Sequence, residues 1–332
     1  MRGSRLSRIP ESLLAAALTE KTNTSASLLR QLPKADVHCH ALLNGPLAAY
    51  EKVLGYKLPL PPPHFHDFGE FAGYLGGNLF PAITSLNGVR ALLRAGLDRM
   101  ADEGVVYTEA SLDLLLSSHI DTTPGSVIQI VAEERDRIAG RLHFAPEIGI
   151  NRRMPPERLW PLFVEHVESG VFHGIDLYDD ERAGDLHEFQ RFFRFAREHG
   201  LMLKAHAGET CGAERVRETL ELLDVDAIQH GIAAVDDPHL LEELARRETQ
   251  LNIGLASNIA LGIAGSYENH PIHALLDAGV QIALGSDDFT LFGASLCDEI
   301  RRLRRSGMRL ADLAKLRLGP PPELQPNKIS TA

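Results

Sequence analysis

Two histidines one residue apart, His38 and His40, end the apolar run Ala35-Asp36-Val37-His38-Cys39-His40. Side chains two apart on a strand share a face, so both imidazoles can meet one ion. A third histidine opens His206-Ala207-Gly208-Glu209, and Asp287 lies in Gly285-Ser286-Asp287-Asp288; each follows another short apolar run. Gln229-His230-Gly231 and Ala256-Ser257-Asn258 occupy similar places. Imidazole and carboxylate donors gathered from several strand ends are what a hydrolytic metal centre requires, and this donor mixture suits Zn²⁺ better than Fe²⁺ or Mn²⁺. A lone buried histidine is more often a hydrogen-bonded core residue. A His-x-His pair joined by a third histidine and an aspartate reverses those odds. His38, His40, His206 and Asp287 are therefore expected to hold one zinc per chain, whose task is to lower the pKa of a water from about 15.7 toward roughly 7.

Three further residues have proton-handling chemistry. Glu209 stands three positions beyond His206, past an Ala-Gly pair, where it can face a substrate without ligating and give a proton to a heteroatom. His230, at another strand end, can take the proton of the water or orient it. Asp288 alternates away from the ion and is free to accept a hydrogen bond from substrate. The bland alternatives are surface carboxylates and a helix cap. Cys39, between the two histidines, is expected on the opposite face of its strand as a small buried hydrophobe.

These residues need a frame that brings them together. Strand-like runs are expected at Ala35–His40, Gly104–Ala110, Leu142–Ile150, Phe172–Tyr178, Met202–His206, Ala227–His230, Gln250–Leu255 and Val280–Ser286. Helical spacing lies between them, as in Val89, Leu92, Leu93, Leu97 and Met100. Eight strands alternating with helices imply a parallel sheet, and a closed (β/α)8 barrel of the TIM type is the expected fold. An open doubly wound sheet would normally carry a Gly-rich loop after its first strand, and none is present. The expected domain plan is an N-terminal extension over 1–31, one barrel over 32–318, and an unstructured Pro-rich tail over 319–332. The longest insertion, about 41–87 between the first two strands, carries a proline run and then Phe65, Phe68, Phe71, Tyr74 and Phe80. Its aromatic content predicts a helical lid over the strand ends.

Bulk properties narrow the partners. The 332 residues carry 34 basic and 45 acidic side chains, net charge −11. That balance favours a small-molecule substrate and argues against nucleic acid. No apolar run is long enough to span a bilayer, so no membrane partner is expected. Three scattered cysteines form no disulfide framework, and a cytoplasmic address is expected.

Taken together, Leu32-Pro33-Lys34-Ala35-Asp36-Val37-His38-Cys39-His40, Gly104-Val105-Val106-Tyr107-Thr108-Glu109, His206-Ala207-Gly208-Glu209, His230-Gly231, Ser257-Asn258-Ile259-Ala260-Leu261-Gly262 and Ser286-Asp287-Asp288 resemble the adenosine deaminase family of the amidohydrolase superfamily. The resemblance runs from about Leu32 to Arg304. It implies zinc-dependent hydrolysis of a 6-aminopurine to its 6-oxo product and ammonia, with Glu209 protonating ring nitrogen 1 and His230 beside the attacking water. Three positions depart from the family pattern. Asn44 stands where relatives place a ribose-contacting Asp, which suggests a substrate-binding amide tolerant of phosphate. Asp179 replaces a Gly whose backbone N–H meets the purine, and Ser111 ends a motif usually closed by Arg. Two other readings remain open: a binuclear amidohydrolase acting on an ester, amide or other heterocycle, and a non-catalytic purine-binding protein. The former usually carries a Lys on the fourth strand, and Phe172–Tyr178 has none.

Overall fold

The computed structural model describes residues 6–18 and 28–325. Eight strands follow one another around a sheet in chain order: β1 (Lys34–His40), β2 (Val105–Asp113), β3 (His143–Asn151), β4 (Gly174–Tyr178), β5 (Met202–Ala207), β6 (Ala227–His230), β7 (Gln250–Ile253) and β8 (Gln281–Leu284). All seven neighbouring pairs are parallel. The seam is drawn together at the strand ends, where the Asp287 N–H donates to His38 O at 2.8 Å and the His40 N–H donates to Asp287 O at 3.3 Å. This is the expected (β/α)8 barrel. The strand faces explain it: Leu203, Ala205 and Ala207 of β5 join the main apolar core, while Lys204 and His206 alternate to the polar interior.

Three expected strands, β4, β7 and β8, are shorter than their apolar runs imply, and the end of β7 bears on the site. β7 stops at Ile253, and Leu255–Ala260 forms a helix, so Ser257 and Asn258 lie on a helical turn instead of a strand-end loop. A short apolar run does not by itself distinguish strand from buried helix.

The insertion after β1 folds into helices Leu47–Leu54 and Phe68–Tyr74, a π-helical turn at Leu75–Leu79 and a 3-10 turn at Phe80–Ala82. Its aromatic residues tie it to the opposite rim. Phe71 stacks on Phe292 with centroids 6.0 Å apart, and the Phe65 N–H donates to Ala260 O at 2.7 Å.

The expected unstructured tail needs correction. Gly319 pairs with Ser7 in an antiparallel bridge, and Leu324 packs with Leu6, Val37 and Tyr107 against the base of the barrel. The part of the N-terminal extension that is described, including the helix Glu11–Ala17, likewise packs on the barrel core through Leu14 and Ala17. Prolines remove backbone donors, but a Pro-rich segment can still cover an apolar barrel end. Residues 1–5, 19–27 and 326–332 lie outside the described residues. Among the described residues, no helix is long and apolar enough to cross a membrane.

Candidate active site

His38 and His40 project from the end of β1 as their spacing requires, and β5 and β8 bring the remaining donors to them. His38 Nε2 lies 3.2 Å from His206 Nε2. Asp287 Oδ1 is 3.8 Å from His38 Nε2 and 3.7 Å from His40 Nε2. The close approach of β8 to β1 depends on Gly285, where a Cβ would come within 2.4 Å of the His38 Cβ.

Each of the three imidazoles is held from behind by its other nitrogen. His38 Nδ1 donates to Asn252 O at 2.8 Å, and His206 Nδ1 donates to Asp176 Oδ1 at 3.1 Å. His40 Nδ1 sits 3.0 Å from Ser111 Oγ. His38 Nε2 then faces His206 Nε2, and His40 Nε2 approaches the same Asp287 oxygen as His38 Nε2. Burial drives His38 down to about 4, and the Asp287 carboxylate only partly opposes it, so this imidazole is a neutral lone-pair donor. Orientation of ligand histidines through the far nitrogen is the usual support of a metal centre. The residues present therefore fit a divalent cation. Cys39 points the other way, into packing with Thr108.

Glu209 and His230 adjoin this cluster. His230 Nε2 is 3.4 Å from Glu209 Oε1 and 3.9 Å from Asp287 Oδ2. Burial raises the Glu209 carboxyl well above its usual range, helped by Asp287, Glu181 and Asp288. Burial also lowers His230 well below the ordinary imidazole range, with His38 and His206 adding to the effect. A protonated carboxyl beside a neutral imidazole is an acid–base pair whose environments have been pushed apart.

Several supporting residues were not assigned roles from sequence. The Glu181 carboxylate accepts the backbone N–H groups of Gly208, Glu209 and Thr210 at 2.6, 2.8 and 2.8 Å. It thereby sets the loop that aims Glu209. Arg152, fully buried beneath that loop, donates to His206 O at 2.6 Å. The Asn258 amide nitrogen donates to His230 Nδ1 at 3.1 Å and reaches Glu209 Oε1 at 3.5 Å. His270 Nε2 holds the other end of that amide at 3.2 Å. The Ser257-Asn258 motif signalled a function; Glu181 and Asp176 had only the weak signal of acids just beyond or within β4.

Strain also gathers here. His230, Asp287 and Asp179 adopt φ of 64°, 53° and 81°, all left-handed. His and Asp are among the residues that tolerate that region, and such conformations cluster at functional sites. At Asp179 the backbone keeps a glycine-like φ despite its side chain, which turns to accept from Asn151 Nδ2 at 2.7 Å.

Asp288 lines the cavity, and burial, with Asp287 adding, pushes it up to about 8. It stands at the start of the helix Phe289–Phe292 without a side-chain capping bond, and its Oδ1 has no partner. The helix-cap alternative is thus set aside. Asn44 requires the opposite correction. It is fully buried and does not line the cavity. Its Oδ1 accepts from Ser286 Oγ at 3.0 Å and from Arg99, and its Nδ2 donates to Asp287 O at 3.0 Å. Asn44 braces the metal-ligand candidate Asp287 through its carbonyl; the side chain points down the seam instead of toward substrate.

The cavity above these residues has a volume of about 390 Å³. A model of the family described as Adenosine deaminase matches residues 63–318, more than three quarters of the chain. The chain belongs to the adenosine deaminase family. It is accordingly a hydrolase of C–N bonds, a deaminase of adenine-like substrates. The match begins beyond β1, so His38 and His40 rest on geometry. Adenine deaminase of Rhizobium leguminosarum bv. trifolii is 35% identical over 287 residues, covering 81% of this chain and 86% of that protein. Among solved structures, adenine deaminase from Arthrobacter aurescens superposes with TM-score 0.77 at 22% identity, covering 86% of this chain and 91% of that one. A Burkholderia ambifaria amidohydrolase with bound zinc superposes with TM-score 0.76 at 20% identity, covering 90% and 87%.

Proposed function

We propose that the chain hydrolyses the exocyclic C–N bond of a 6-aminopurine nucleoside or nucleotide, taking up water and releasing the 6-oxo purine and ammonia. In this reading His38, His40, His206 and Asp287 hold one zinc ion. A cation there supplies the Lewis acidity that turns water into a nucleophile near neutral pH. The observation that carries the reading is the Glu209–His230 pair standing against the four-donor cluster, 3.4 Å apart at its nearest atoms. Glu209 gives its proton to the ring nitrogen next to the reacting carbon, which makes that carbon electrophilic. His230, whose Nδ1 accepts from the Asn258 amide, orients the attacking water with its Nε2 N–H, and the proton that the water sheds passes to the neighbouring Asp287 carboxylate. Asp288, its carboxyl pushed up to about 8 and its Oδ1 unpartnered, donates a hydrogen bond to a ring nitrogen of the substrate, and Asp179 shapes the facing wall. The loop geometry imposed by Glu181 keeps the acid aimed. The insertion over 41–87 acts as a lid that excludes water. All three cysteines are free, which supports a reducing, cytoplasmic setting.

The test joins metal analysis with release of ammonia from adenine, adenosine and AMP and of methylamine from N6-methyl-AMP. About one equivalent of zinc with the amine released from any of the four is the expected result. Two equivalents with ester cleavage would select a binuclear hydrolase, and neither metal nor ammonia would select a purine binder.

A further inference from the structure

The chamber has two unlike halves. The donor cluster, Glu209, His230 and Asp288 form its polar wall. Opposite them, Phe68, Phe71, Leu75 and Phe80 come from the insertion, and Leu116 and Met154 from the segments after β2 and β3. This half is anchored at both rims: Phe71 lies flat on Phe292, and Phe80 packs edge-on against His119 with centroids 6.2 Å apart.

The charges beside the apolar half do not await an anion. Asp113 accepts from the Tyr178 hydroxyl and from the Leu115 N–H at 2.6 Å. Asp179 is engaged by Asn151 and by the Asp180 N–H at 2.6 Å. Among the described residues, Arg153 is the one Lys or Arg side chain lining the chamber, and it lies 3.7 Å from Asp179. A phosphate entering here would face two carboxylates and one guanidinium already paired with one of them, without the convergent donors phosphate sites use.

We propose that this half is a subsite for an uncharged apolar substituent, aryl or alkyl, carried on the side of the purine away from its amino group. The proposal rests on the deaminase reading and narrows it to substrates of that class. Aromatic and aliphatic walls with a few placed polar groups are the common make-up of a pocket that selects by shape.

The zinc-loaded protein should be assayed for ammonia release from adenosine, AMP and 5′-O-benzyladenosine. The expected order is benzyl ether, adenosine, AMP, with kcat/KM for the benzyl ether at least about tenfold above adenosine, the scale on which apolar pockets discriminate. Phe80→Ala, at a half-exposed position, should shrink the ratio of benzyl ether to adenosine, and Phe80→Lys should raise AMP relative to adenosine. Adenosine or AMP turned over as well as the benzyl ether overturns the subsite and leaves deamination standing. No ammonia from all three overturns the subsite; if adenine also yields none, the deaminase reading falls with it.

Discussion

Strand β5 sends two side chains into the barrel interior two residues apart, and the layers they enter are built on different principles. Lys204 lies 2.9 Å from Glu147, pairs with Glu109 and donates to Val37 O at 2.9 Å. Burial, with Glu109 adding, pushes Glu147 up to about 8. One lysine therefore meets one ionised and one protonated carboxyl, and the lower layer carries its own cation. His206, in the layer above, adjoins the imidazoles of His38, His40 and His230 and the carboxylates of Asp176 and Asp287, with no lysine among them. A buried charge must be paired. The lower layer is closed for stability; the upper one has donors to spare for an imported cation.

The comparison is tested most severely by removing a donor from the upper layer. Asp287→Ala, or exhaustive chelation, should abolish turnover by about 10³-fold or more, since the Lewis-acid contribution is several kcal/mol. Metal content measured with activity checks it; full activity in metal-free protein would end the imported-cation argument. Next in size is Glu209→Gln, which keeps the shape and removes the proton. Turnover should fall about 10²- to 10⁴-fold with zinc content unchanged. A Gln variant as active as the parent would show that the acid is elsewhere.

The lower layer should answer in stability. Lys204→Met leaves buried carboxylates without their cation and should cost about 3–5 kcal/mol in denaturant unfolding. Replacing Lys204, Glu109 and Glu147 together with apolar residues of similar volume should restore most of that loss. Failure of the triple variant to recover would mean that this layer, too, serves something other than folding.

The contrast between layers also marks how far the sequence could be read. His38-Cys39-His40 announced the upper layer because alternation on a strand is a local rule, and seven of eight strands lie within two residues of their expected bounds at both ends, β2 alone ending three residues later. Lys204 obeys the same alternation, yet nothing local says that Glu109 and Glu147 stand beside it, because those neighbours arise from strand order. Glu181 is similar: its partners are backbone N–H groups of a loop that sequence cannot orient. Asn44 was misjudged for a related reason. Beyond the end of a strand the alternation rule lapses, and its side chain turned into the seam. The segment after Leu318 shows no periodicity, so its pairing with Ser7 at the other end of the chain left no pattern to find.

Asp176 is the residue on which the two layers meet, and its variant should produce the smallest and most discriminating effect. On β4, almost fully buried, it accepts from His206 Nδ1 above. Below, its charge is one of those that raise Glu147. Its own carboxyl is driven low: burial opposes ionisation, but His206 and the other imidazoles outweigh it. Asp176→Asn preserves an oxygen for the His206 N–H and removes the charge. The upper layer then loses the anion that makes His206 a stronger donor, so metal affinity should weaken about 10- to 100-fold, as when the outer partners of ligand histidines are changed. The lower layer loses only a repulsion, so unfolding free energy should move by no more than about 1 kcal/mol, the scale of one hydrogen bond. Metal titration and denaturant unfolding of the same preparation separate these responses. A stability loss as large as that of Lys204→Met would mean that Asp176 belongs to the self-contained network, and the boundary between layers would have to be redrawn one residue higher on β4.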